Sequence, residues 1–171
     1  MIQLRCTQKI LKNWQINSDQ LADVKGNLSP LGNWYAHIFT LDRRKAVIFV
    51  NEKTLTSFIV YGVKKGDPAK LTRAFLIGVA QVLLLLGITK DKVAQILTHY
   101  QEIEFTKTAS RSVLGVVNDL IKHYQKNVKL RGGLKYSDID EIIYLTNTLP
   151  QRTINRQKTI DYLHALIEEH F

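Results

Sequence analysis

A single cysteine, Cys6, is the only thiol in the 171-residue chain. That excludes an intrachain disulfide framework, and a lone thiol in an apolar segment fits a reducing cytosol. One cysteine cannot build a zinc finger, and none of the five histidines (His37, His99, His123, His164, His170) belongs to an H-E-x-x-H pair. No phosphate loop, dinucleotide fingerprint or nucleophile elbow occurs, so no metal and no cofactor is expected. Long apolar runs are also scarce. The longest, Ala74 to Ile88, is interrupted by Gln81 and falls short of the ~18 to 20 residues that span a bilayer. A buried helix is expected there rather than a membrane anchor. The segment Met1 to Arg5 lacks the basic start and apolar centre of a signal peptide, which predicts a cytoplasmic protein.

Positive charge is abundant. Lysine and arginine number 24 against 15 acids, a formal net charge of +9. The excess is uneven. Residues 1–65 hold ten cations and four anions, residues 110–136 hold six and one, and residues 137–171 are acidic, with three and six. If the two basic blocks fold against each other, the resulting face attracts nucleic acid or another polyanion through steering and counterion release. Solubility alone is the competing explanation of the same charge.

Hydrophobic patterning predicts one α+β domain over 1–171, with a core in 1–125 and a helical C-terminal extension in 126–171. Ile2, Leu4 and Cys6 alternate as in a short strand, and Thr7 opens a helical turn. A polar loop broken by Gly26, Pro30 and Gly32 follows. The stretches 34–41, 46–50 and 55–63 predict an antiparallel β-meander with short connections. Asp67-Pro68 is a strong helix start, and Gly87 ends the helix after Leu86. Being apolar nearly all round, that helix is expected to be covered on both sides. Thr89 and Ser110 cap two further helices, to about Tyr100 and Gln125, with an edge strand near Ile103 to Lys107 between them. Residues 126–136 predict a basic loop, and two last helices follow, near 139–149 and 157–169.

Three places carry candidate chemistry. At the first hairpin tip, Arg43, Arg44 and Lys45 have the chemistry to grip phosphate, although a tip is also a common harmless site for cations. Directly after the most apolar strand comes Asn51-Glu52-Lys53-Thr54. There Glu52 is a candidate general base and Lys53 its electrophilic partner, and a simple hydrogen-bonded turn is the alternative. In the third place, Arg111, Gly115, Asn118 and Lys122 share one helix face opposite the apolar stripe. Gly115 weakens that helix by ~1 kcal/mol relative to alanine, which suggests close approach of a ligand or of packed backbone. Arg5 joins this anion-binding set. His37, in the aromatic strand, is a second candidate base.

The segments "IQLRCTQKIL", "LGNWYAHIFTLDRRKAVIFVNEKTLTSF" and "SRSVLGVVNDL" occur in this order. They resemble a bacterial family of domains of unknown function across most of residues 1–125. The resemblance implies a small cytosolic prokaryotic protein and brings no activity with it. The leading expectation, which rests on the two basic blocks, is an anion-binding module for nucleic acid or a nucleotide, slightly favoured as non-enzymatic, with Arg5, Arg43, Arg44, Lys45, Lys53, Arg111, Asn118 and Lys122 as contacts. The alternatives are a metal-independent nuclease or other phosphodiester enzyme, with Glu52 or His37 as base and Arg44 or Arg111 stabilising charge, and a protein-interaction module without a small-molecule site.

Overall fold

The computed structural model describes all residues, 1–171, as an α+β fold around one five-stranded sheet. The order of the strands is β4-β3-β2-β1-β5. In chain order the elements are β1 (Ile2–Cys6), α1 (Gln8–Asn13), β2 (Trp34–Leu41), β3 (Arg44–Asn51), β4 (Ser57–Tyr61) and α2 (Pro68–Leu85). They continue with α3 (Lys90–Thr98), β5 (Ile103–Lys107), α4 (Arg111–Leu130), α5 (Ile139–Asn147), a two-residue hairpin of β6 (Pro150–Gln151) and β7 (Gln157–Lys158), and α6 (Thr159–His170). The expected meander is present as β2-β3-β4, but the sheet as a whole is mixed. β1 lies parallel to both β2 and β5, because helical crossovers carry the chain back to the same end each time.

The caps behave as their chemistry dictates. Asp67, Thr89 and Ser110 each accept a backbone N–H from the first turn of the helix they precede. Asp138 does the same for α5. The β2–β3 hairpin turns at Asp42 and Arg43, both at positive φ, the combination that matches strand twist in a two-residue turn.

Strand alternation sorts the core into two layers. On one sheet face Trp34, Phe49 and Phe58 meet Phe75 of α2, with ring centroids 5.0 to 5.8 Å apart for the closest pairs. Tyr100 accepts the indole N–H of Trp34 at 2.8 Å beneath them. Gly78 lets α2 lie directly on Phe58, since a Cβ at that position overlaps the ring. On the other face α4 presents Val117, Leu120, Ile121, Tyr124 and Val128.

Three expectations need correction. α4 continues to Leu130, through most of the segment predicted as a basic loop, because Val128 extends the buried stripe one turn beyond Tyr124. α2 is covered on one side only, and Ile77 and Leu84 are exposed. No packed backbone approaches Gly115, since nothing lies within 4 Å of where a Cβ would stand.

Candidate anion-binding cleft

The residues after β3 form a closed turn. Asn51 Oδ1 accepts from the backbone N–H of Lys53 and Thr54 and from the Thr54 hydroxyl, and its amide donates to the carbonyl of Leu31. Lys53 Nζ donates to the Pro30 carbonyl at 3.0 Å. Both are satisfied within the protein, as side-chain-closed turns generally are. Glu52 receives Arg5 Nε at 2.9 Å. Arg5 is buried, its second nitrogen donates to the Lys25 carbonyl, and Nη1 has no partner. Beside this pair the Tyr35 hydroxyl accepts the N–H of Ser110 at 2.9 Å and of Ala109 at 3.3 Å, pinning the start of α4 to the sheet. Burial raises the Tyr35 pKa, and the two amide donors oppose that rise.

The expected site residues therefore do not gather in one place. Arg44 opens β3 and Glu52 follows its end, which separates them by about 27 Å of extended chain. His37 lies opposite Ile48, four positions back along β3 from Glu52, or about 13 Å. Arg43 and Arg44 are exposed at the hairpin tip. Arg111 and Lys122 are exposed on α4 and make no ion pair.

Three of them do converge: His37, Lys45 and Asn118 line one cleft of about 620 Å³. β1 stops opposite Ala36, whereas β2 runs on to Leu41, so the outer edge of β2 is left without a strand. α1 and α4 flank this gap. From α1 come Lys9, Lys12 and Asn13, at the three- and four-residue spacing that shares a helix face. From α4 come Asn118, Ile121 and Gln125, from β3 Lys45, and from the loop after β4 Lys65. Alternation turns the N–H and C=O of Ile38 and Thr40 toward the gap, where Gln125 Nε2 holds the Thr40 carbonyl at 2.9 Å.

The electrostatics of the cleft are one-sided. Its lining holds four lysines and no carboxylate, and none of the four enters an ion pair. Thr7 Oγ1 holds His37 Nδ1 at 2.8 Å. Burial, helped by the positive charge of Lys9, pushes the His37 pKa below its ordinary value and disfavours the protonated ring. Asn13 is 7% exposed, and its amide nitrogen has no hydrogen-bond partner in the protein. Unpaired buried donors are uncommon and mark places where water or a ligand completes the shell.

Lys9, Lys12, Asn13, Lys65 and Gln125 are absent from the candidates drawn from the sequence. One local signal was available: Lys9, Lys12 and Asn13 fall on one side of a short helix. Lys65 carried none, since the loop after β4 brings it there. The lining cations all come from the first basic block. The second block contributes α4 as a wall, but none of its cations.

No curated protein matches the chain. A family model does match it over residues 3–165, well past the point at which the motif resemblance ends. The chain therefore belongs to the family described as a domain of unknown function, DUF6933.

Proposed function

We propose that the protein is an anion-binding module and that its ligand, a nucleotide or a short stretch of nucleic-acid backbone, occupies the cleft between α1, β2 and α4. The observation that carries this reading is the set of four unpaired lysines, Lys9, Lys12, Lys45 and Lys65, around a cleft with no carboxylate. Lysines held at the rim of a low-dielectric concavity focus a positive field into it. The volume, about 620 Å³, falls within the usual ~300 to 1,000 Å³ of small-ligand sites. Asn13, Asn118, Gln125 and the free edge of β2 supply polar groups that orient a ligand. Binding rather than catalysis is favoured because His37, the one imidazole in the cleft, has no carboxylate to orient it and is held by a threonine hydroxyl.

Fluorescent ATP and a fluorescent single-stranded oligonucleotide, titrated at several salt concentrations, test the reading. Binding is expected at low salt, with log K falling linearly in log salt by ~0.7 per phosphate engaged on the oligonucleotide. The charge-reversed variant Lys12→Glu/Lys45→Glu is expected to bind at least about tenfold more weakly. Absence of binding to both probes at low salt, or an unchanged affinity in the variant, overturns the proposal.

A further inference from the structure

The sheet has two outer edges, and they are closed to different degrees. Next to β5, Leu21 forms a parallel bridge with Phe105, and the Ala22 N–H reaches the Phe105 carbonyl at 2.9 Å, so part of that edge is covered by the chain itself. At the other edge the outward-facing backbone groups of β4 belong to Ser57, Ile59 and Tyr61, because Thr56 and Gly62 bond inward to β3 and the pattern alternates. Ser57 is closed by a side chain. The Asn147 amide of α5 accepts the Ser57 N–H and donates to the Ser57 carbonyl, both at 2.9 Å, and so imitates a residue of a neighbouring strand. Ile59 and Tyr61 receive no such partner.

These open groups face a groove of about 780 Å³ between α2 and α5, lined mainly by apolar residues that include Val60, Leu84, Leu85 and Ile143. Its rim is apolar too, with Leu84 44% and Tyr61 43% exposed. An unpaired strand edge in an apolar groove is a template for another strand. The charge of the groove sets the chemistry of the partner. Asp138 and Asp140 line it, neither carboxylate is in an ion pair, and no cation joins them there, although the protein as a whole is basic.

We propose that the open half of the β4 edge is a docking site for an extended, cation-bearing apolar peptide segment, which adds as a sixth strand beside Ile59 and Tyr61. Backbone pairing at these two residues supplies the register that Asn147 begins at Ser57. Alternate apolar side chains of the segment enter the groove, and a lysine or arginine of the segment meets Asp138 and Asp140. This surface is separate from the lysine-lined cleft, and neither proposal depends on the other.

The test uses the full chain and two acetylated, amidated heptapeptides of alternating valine and threonine, one with lysine at each end and one with glutamate. Backbone amide NMR and hydrogen exchange are the readouts. The lysine peptide is expected to shift the Ile59 and Tyr61 amides saturably, slow their exchange at least tenfold, and bind at least fivefold tighter than the glutamate peptide. Tyr61→Pro removes an outward-facing donor, which an edge strand tolerates, together with the tyrosine ring at the rim, and is expected to abolish binding. Asp140→Lys, an exposed substitution, keeps the test decisive if that proline variant does not fold, because it cancels the charge of Asp138 and should remove the peptide preference. Lack of protection at both amides, or a preference unchanged by Asp140→Lys, overturns the proposal. So does protection in the free protein that grows with concentration and doubles the sedimenting mass, which assigns the edge to a second copy instead.

Discussion

Arg5 and Lys12 lie in the same basic segment, one at the end of β1 and the other in the helix that follows. Arg5 points beneath the loop that leads to β2 and is sealed against Glu52, with its charge cancelled and Nη1 without a protein partner. Lys12 stands at the rim of a cleft with three other lysines and no acid. The two contribute equally to net charge and differ in everything else. A buried, paired cation is committed to the fold, because separating it from its carboxylate leaves a charge in a poor solvent. An exposed, unpaired one is held at little cost and remains available to a ligand. Net charge thus says how much positive potential a chain carries, and pairing says where any of it is free.

The sharpest way to break this contrast is to remove the sealed cation. Arg5→Ala strands Glu52 and opens a hole under the loop. It is expected to cost about 2 to 4 kcal/mol in urea unfolding, somewhat less than a fully buried pair because Glu52 is partly exposed. Glu52→Gln, which keeps the shape and removes the charge, should cost less but act in the same direction. If either variant is as stable as wild type, Arg5 is not the structural cation described above.

The complementary experiment targets the open cations. Lys12→Glu/Lys45→Glu should leave the unfolding midpoint within the small range typical of surface substitutions, since neither lysine has a partner to lose. It should weaken ATP or oligonucleotide binding by at least about tenfold, equivalent to ~1.4 kcal/mol. A large loss of stability with unchanged binding would invert the roles assigned to the two regions.

His37 gives a pH-dependent version of the comparison. Its folded pKa is below the ordinary 6.5, so the unfolded chain takes up the proton first as pH falls. The stability associated with the neutral ring is complete above about pH 6.5 and declines as pH drops through the folded value. His37→Gln should flatten that acid-side loss relative to wild type in pH-dependent unfolding. A phosphate-bearing ligand bound beside the ring should raise its pKa, measurable by NMR titration of the imidazole protons. The smallest effect is expected at Gly115→Ala. With open space at the Cβ position, the substitution should stabilise the protein by about 0.5 to 1 kcal/mol and leave binding unchanged.

Much of the fold was legible because its signals are local. Asp67-Pro68 and Ser110 announce helices through a side-chain oxygen that accepts a backbone N–H three residues on. The β2–β3–β4 meander follows from β-branched and aromatic runs separated by short turns. The turn at Asn51 to Thr54 was visible as an alternative and is closed by Asn51, with Glu52 directed to Arg5. The candidate site was less legible. The sequence marks His37, Lys45 and Asn118, but as members of three separate groups. The Arg43–Arg44–Lys45 run was divided by strand geometry, since Lys45 lines the cleft whereas the two arginines do not.

By itself the sequence determined the α+β class, the positions of most elements, the lack of a disulfide framework and the amount of positive charge, because each depends on residue type and near-neighbour spacing. Only the tertiary structure decided which cations are cancelled and which are open. That outcome depends on β1 pairing in parallel with both β2 and β5 and stopping short of the end of β2. It depends equally on α1 and α4 flanking the exposed edge, with the loop after β4 returning Lys65 to it. Parallel pairing joins residues distant in sequence through crossovers, so no local pattern records which strand edge is left uncovered or which side chains surround it.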